Sequence, residues 1–295
     1  MFKVGKLFHL THVVGDLDAV DRWYDEIFAV NRFYRGYEKL AVREASLVLI
    51  GDVVMEPVML GRVAGAEHSP IGKFQSRFGH RFHSIAWYVD SIAETCAAFG
   101  ARHQRLYNVV GKVVTPPVKT EAVWTHPRET QALLEFAAQG SYTLDPRLQA
   151  GWTTAMWRDE HPLGIVRASH ITVTVGDLAA ATTLYGETMG GKLIHRAEVA
   201  GRKRSVYFAI GEDTVIEAAE PLSTTSAEGQ DFARNGAGVY AITFQSRDLG
   251  RAAEFLKAKG QRLHDEGGDS FVIDRADAFG MTIGFSGRAI PGDPR

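Results

Sequence analysis

Four times along this chain of 295 residues the apolar pattern changes period in the same order. A short strand-like run meets a turn residue and an Asp, the spacing becomes helical, and strand-like runs return. The first unit opens His9-Leu10-Thr11-His12-Val13-Val14-Gly15-Asp16-Leu17. Ala19, Val20, Trp23, Tyr24, Ile27 and Phe28 then fall on one helical face, with Asp16 placed to cap that helix. Strands are expected at 32–37, 41–50 and 53–60, with turns at Gly36 and Gly51-Asp52. The second unit opens Phe82-His83-Ser84-Ile85-Ala86-Trp87-Tyr88-Val89-Asp90, has a helix at 91–99 stopped by Gly100, and strands at 122–125 and 132–137. The third opens His170-Ile171-Thr172-Val173-Thr174-Val175-Gly176-Asp177-Leu178, with a helix towards Met189 and strands at 206–210 and 214–218. The fourth opens Ala241-Ile242-Thr243-Phe244-Gln245-Ser246-Arg247-Asp248-Leu249, with a helix at 250–259 and strands near 271–274 and 281–285.

The longest stretch without a clear element, 139–166, is rich in Gly, Pro, Asp and Trp and places the main border there. A first domain is therefore expected over 1–138 (units 7–60 and 82–138), a linker over 139–166, a second domain over 167–287 (units 168–219 and 239–286) and a tail at 288–295. Residues 220–238 read as a loop.

Composition narrows the classes. With 45% hydrophobic and 23% charged residues the chain can bury an ample core. A net charge of −2 gives no general attraction for nucleic acid or an acidic membrane surface, so neither is expected as a partner. No apolar run reaches bilayer length, and the only cysteine, Cys96, rules out an internal disulfide. A cytoplasmic location is the expectation, with Cys96 as a small buried helix residue.

The chemistry lies at two recurring positions. Seven residues before each Asp stand His9, His83, His170 and Ala241, although only 11 of 295 residues are histidine. The last strand of each unit carries Glu56, Glu135, Glu217 and Gly284. A carboxylate inside an apolar strand must find a cation or be neutralised. A single His or Glu of this kind is more often a core or surface group, but recurrence of the pair in three units favours a site. Imidazole with carboxylate is the ligand set of a mid-row divalent ion, with open positions for substrate. By alternation His83, Ile85, Trp87 and Val89 share one face, and His12 points away from His9 into the core.

Units with His on the first strand and Glu on the last resemble the vicinal oxygen chelate superfamily, which includes glyoxalase I, methylmalonyl-CoA epimerase, extradiol dioxygenases and bleomycin-binding proteins. The first half looks like the epimerases through Ser69-Pro70-Ile71-Gly72-Lys73-Phe74, His83-Ser84-Ile85-Ala86, Thr125-His126-Pro127 and Leu133-Leu134-Glu135. The resemblance implies an α+β fold of four βαβββ units paired into two cup-shaped mixed sheets. It also implies one divalent ion (Co, Ni, Mn, Fe or Zn) on His9, Glu56, His83 and Glu135. Neighbouring units are expected to pair, because connections are short; the other pairing would give His83, Glu135, His170 and Glu217. Ala241 and Gly284 leave a cup of units three and four only His170 and Glu217.

The resemblance implies an isomerase, epimerase or lyase that stabilises the enolate of a small carbonyl substrate. Glu135 would move the proton, Glu44 would be a second acid–base group, and Trp87 would line the pocket. Lys73, Arg77 and Arg81 are as well explained by a solvated loop as by a coenzyme A site. A ring-cleaving Fe(II)/Mn(II) dioxygenase and a non-catalytic small-molecule binder are the alternatives. The class allows a homodimer.

Overall fold

The computed structural model describes residues 2–295. In the first half β1 (Val4–Val14), α1 (Leu17–Phe28), β2 (Asn31–Glu38), β3 (Arg43–Ile50), β4 (Val53–Leu60), α2 (Pro70–Phe78), β5 (Arg81–Val89), α3 (Ile92–Gly100), β6 (Ala122–Trp124), α4 (Pro127–Thr130) and β7 (Leu133–Ala138) follow one another. The second half continues with β8 (Ile165–Thr174), α5 (Leu178–Thr182), β9 (Lys192–Val199), β10 (Lys203–Ile210), β11 (Thr214–Pro221), α6 (Ala227–Asn235), β12 (Gly238–Ser246), α7 (Leu249–Ala258), β13 (Leu263–Asp265), β14 (Ser270–Ile273) and β15 (Thr282–Ser286). One sheet has the order β2-β3-β4-β1-β5-β7-β6 and the other β13-β14-β15-β12-β8-β11-β10-β9. β1 and β5 are antiparallel neighbours at the centre of the first sheet, as are β8 and β12 in the second. Neighbouring units therefore share a sheet. The α+β class and the two cup-shaped mixed sheets are as expected. No helix among the described residues is long and apolar enough to cross a membrane.

Three capping Asp residues do what the pattern predicts. Asp16, Asp177 and Asp248 each accept a backbone N–H at 2.9 Å, from Ala19, Ala180 and Arg251. The second unit departs. Its cap is Ser91, which takes the Glu94 N–H at 3.2 Å, while Asp90 accepts the Lys3 N–H at 2.8 Å. Residues 220–238 are not all loop either: α6 starts at Ser226, which accepts the Gly229 N–H, as Ser69 accepts that of Gly72 at the start of α2. These short polar helices precede the fourth and second units alike.

One face of each sheet is apolar and lies under the helices. Leu10, Met55, Ile85 and Leu134 pack there with Tyr24, Phe28 and Phe99. The same core runs into the second half, where Phe28 meets Phe244 at 5.9 Å and Trp157 donates to the Phe28 carbonyl at 2.8 Å.

The halves are also laced by a reciprocal polar latch. Phe8 is an unpaired extra residue where β1 meets β5, and Ser169 is its counterpart where β8 meets β12. Backbone groups beside such a bulge lose ladder partners. Arg147 donates to the Leu7 and Phe8 carbonyls at 2.8 and 3.0 Å and to the Asp52 carbonyl at 3.1 Å. Arg295 does the same for Ala168, Ser169 and Asp213, at 3.2, 2.8 and 2.5 Å. Each guanidinium is held by the Asp two residues earlier, Asp145 or Asp293, within an Asp-Pro-Arg triplet. The turn aspartates then cross over: Asp52 accepts the Ala168 N–H at 2.6 Å and Asp213 that of Leu7 at 2.8 Å. The segment 288–295, expected as a tail, thus ends in a structural clasp.

Candidate metal centre in the first cup

Register decides which side chains enter the cup. Thr11 lies opposite both Glu56 and Ser84, and Ala86 opposite both His9 and Glu135. Directly opposed residues share a face, so His9, Thr11, Glu56 and Glu135 all point to the concave side. His83 would face away by simple alternation. It joins them because the register slips between Thr11↔Ser84 and His12↔Phe82, leaving His83 as a bulge residue. Its ring lies 4.6 Å from that of Phe74, and it lines the same cavity as Arg43 and Trp124.

His9 Nε2 stands 3.3 Å from an oxygen of Glu56 and 3.3 Å from an oxygen of Glu135, all three groups almost wholly buried. Thr11 donates to Glu56 Oε2 at 2.5 Å, Arg43 to Glu56 Oε1 at 2.8 Å and Trp124 Nε1 to Glu135 Oε2 at 2.9 Å. Burial opposes protonation of His9, but the two carboxylates outweigh it and raise its pKa. Burial pushes Glu56 up, and Arg43 and His9 only partly offset this. For Glu135 burial also pushes up, but His9, Arg43 and Trp124 win and hold it below the usual carboxylate range. Burial holds His83 down at about 3, so its imidazole is neutral. Its Nδ1 is within 3.1 Å of the Ser84 hydroxyl, and among the described residues Nε2 has no protein partner.

Among the described residues no group of three or more His, Cys, Asp or Glu forms a ready metal-binding cluster. The spacing of His9 from the two carboxylates nevertheless suits a divalent ion. Donors about 2.1 Å from one ion stand about 3 Å apart, close to the two 3.3 Å separations around His9. His83, the fourth expected donor, is neutral, as a metal-binding imidazole must be.

Other expected positions fall elsewhere. Glu44 lies opposite Met59, on the face away from Arg43 and Glu56, so it does not enter the cup. Trp87 is fully buried on the helix side, its indole N–H donating to Thr214 Oγ1 at 3.1 Å, and it lines neither cavity beside His83. His83 and Glu135 belong to one sheet and His170 and Glu217 to the other, so the alternative metal set is not brought together. His12 is core, its Nε2 2.8 Å from the Tyr24 hydroxyl.

Counting from the true cap Ser91, His83 stands one place off the other histidines. Its counterpart in the fourth unit is Tyr240 rather than Ala241, since Thr172 pairs with Ala241 as Thr11 pairs with Ser84. Arg43 is the group that pattern reasoning missed. Its signal was the matching cation Lys203 at the head of β10, which likewise holds Glu217 at 2.6 Å.

Comparison with known proteins gives three findings. Residues 167–285 match the model of the Glyoxalase/Bleomycin resistance protein/Dioxygenase superfamily. An ethylmalonyl-CoA/methylmalonyl-CoA epimerase of Cereibacter sphaeroides is 29% identical over 104 residues, 35% of this chain and 78% of that protein. A mutant 4-hydroxymandelate synthase from Streptomyces coelicolor superposes with a TM-score of 0.65 over 98% of this chain and 95% of its own, at 12% identity, a likeness of fold.

Proposed function

Taking the chain as one of the vicinal oxygen chelate kind, we propose that its first cup is a metal-dependent isomerase or lyase site for a small carbonyl compound. It would move a proton next to the carbonyl group. The observation that carries this is the pair of 3.3 Å contacts from His9 to Glu56 and Glu135 at the floor of a polar cup. His9, Glu56, His83 and Glu135 would hold one divalent ion, which when bound supplies Lewis-acid stabilisation to the two substrate oxygens as negative charge develops.

The protein's own groups have separate tasks. Glu56 is committed on both oxygens, to Thr11 and Arg43. Glu135, kept ionised, accepts the proton from the substrate carbon, and the Trp124 indole fixes its orientation. Arg43 lines the cavity of about 260 Å³ beside His83, its guanidinium held between Glu38 at 2.6 Å and Glu56 at 2.8 Å. With Glu44 on the far face, one carboxylate is left for proton transfer. This supports a single-base reaction, with the proton removed and returned on one side, over a two-base epimerisation.

A second cavity, of about 360 Å³, adjoins at His83 and is lined by Lys73, Phe74, Arg77 and Phe78. Lys73 and Arg77 are exposed. That charge, and the likeness to an acyl-CoA epimerase, supports an acyl thioester with a phosphate-bearing tail as substrate. Arg81 is not available for it, being buried against Asp231 at 2.8 Å.

The test is proton exchange from methylmalonyl-CoA in heavy water, followed by NMR after chelation and after adding back Co, Ni, Mn, Fe or Zn. Exchange restored by one of these metals is expected. Oxygen uptake with catechols dependent on Fe(II), and no exchange, would replace this reading by the dioxygenase one.

A further inference from the structure

The second cup keeps half of the repeated constellation and builds something else on it. His170 and Glu217 stand where His9 and Glu56 stand in the first cup, but Tyr240 replaces His83 and Gly284 replaces Glu135. Glu217 is fully buried and saturated: Thr172, Lys203, Ser205 and Tyr207 donate to it at 2.6, 2.6, 2.8 and 2.8 Å. Its one imidazole neighbour is His170, 3.6 Å away, so the second cup offers two of the four donor positions of the first. Above Glu217 lies a cavity of about 220 Å³. An engineered cavity of about 150 Å³ already admits benzene, so there is room for one substituted ring.

Several independent features point to an occupant. Thr282 lines the cavity, and its buried Oγ1 has no hydrogen-bond partner among the described residues. The Lys203 ammonium has one close acceptor, Glu217, and its next, Glu228, is 4.0 Å away, so donors remain unused. Gly284 lines the cavity with no side chain where Glu135 stands in the first cup, and a Cβ there would press on Thr243 Oγ1 at 3.1 Å. Tyr240 and Phe271 supply aromatic walls. The charges choose the ligand. Glu217, Glu228 and Glu266 face only Lys203 and Arg202, with Arg202 shared between Glu228 and Glu266. Burial holds His170 neutral, with a pKa of about 4. An anion would meet three carboxylates and a cation would meet Lys203 and Arg202, so both are disfavoured.

We propose that the second cup is a ligand site of its own, taking an uncharged molecule of about one ring. The ligand's carbonyl oxygen meets the Lys203 ammonium, an N–H or O–H donor meets Glu228, and its flat face lies against Tyr240 and Phe271. The site needs no metal and is independent of the chemistry assigned to the first cup.

Three probes of one size separate the possibilities: benzamide, benzoate and benzamidine, added to the full-length protein and followed by saturation-transfer NMR and calorimetry. Benzamide is expected to bind at millimolar concentration or below, with the two charged probes about tenfold weaker or more. Chelating agents are expected to leave benzamide binding unchanged, whereas Gly284→Leu, which fills the cavity, and Lys203→Met are each expected to weaken it about tenfold or more. Absence of benzamide binding, equal or tighter binding of either charged probe, loss of binding on chelation, or full binding by Gly284→Leu overturns the proposal. Lys203→Met removes the counter-ion of a buried carboxylate, so if circular dichroism shows it unfolded, a folded Gly284→Leu decides alone.

Discussion

Glu56 and Glu135 approach one imidazole, and their surroundings push them in opposite directions. Glu56 is tied to Thr11 and Arg43, and Glu135 is kept ionised with only Trp124 and His9 as partners. Replacing Glu135 by Gln is therefore expected to lower the turnover of the proposed reaction by about 10²-fold or more, while Glu44→Gln, on the far face, leaves it within about twofold, both read in the same exchange assay. The pairing of His9 with Glu56 and Glu135 was visible in the sequence because the same two residue types recur at matched points. The facing of His83, Glu44 and Trp87 was not. A bulge reverses alternation for one residue and leaves no mark in composition, and the cap that set the alignment had moved from Asp90 to Ser91. Buried neutral histidines also give the protein an acid limit. Burial holds His12 and His83 at about 3 and His170 at about 4. Below about pH 6.5 the unfolded chain binds protons that the folded one refuses, so stability falls as pH drops from there towards those values. The slope reaches about 1.4 kcal/mol per pH unit for each histidine. Urea unfolding at pH 7 and pH 4.5 should show this loss, and His12→Gln should reduce it.

At the scale of elements, the bulges before His9 and His170 are held from both sides: an arginine from its own half takes the carbonyls, and an aspartate from the other half takes the N–H. Asp52 shows what this arrangement costs. Burial pushes its pKa up to about 6, against the Ala168 N–H and Arg295. A carboxyl with a raised folded pKa weakens the fold as pH rises above its unfolded value, and the cost is complete above about pH 6. Asn keeps the acceptor and removes the charge. Asp52→Asn should thus stabilise the protein by about 1 kcal/mol at pH 7 and do nothing near pH 4, whereas Asp52→Ala should destabilise at both. Denaturant midpoints at the two pH values check all three statements. The helices α1, α3, α5 and α7 were legible from apolar spacing; α2 and α6 were not, because they are short, polar, and announced only by a capping serine.

For the whole molecule, the repeat gives two cups of one architecture and unequal contents. Four candidate donors line the first, and the second supplies His170 and a saturated Glu217. Metal analysis after dialysis should find one divalent ion per chain, lost in His83→Ala and kept in His170→Ala; two ions per chain would overturn the assignment. The four-unit repeat was readable from the chain, and its pairing into two cups followed from the family resemblance. What joins the cups was not, since the latch uses residues that no periodicity selects: two turn aspartates and two Asp-Pro-Arg triplets.

That latch has a consequence for dissection. The strand bearing each site histidine is completed by a turn from the opposite half and by an arginine downstream of its own last strand. A fragment cut at residue 138 lacks Arg147, and even one cut at 150 lacks Asp213. Such a fragment should be poorly folded alone. Pieces 1–150 and 151–295, expressed separately and mixed, hold reciprocal halves of the same fastening and should reassociate, regaining cooperative unfolding and metal binding that neither has by itself. Failure of the mixed pieces to complement each other in size-exclusion chromatography and thermal melts would show that the latch follows association rather than directing it.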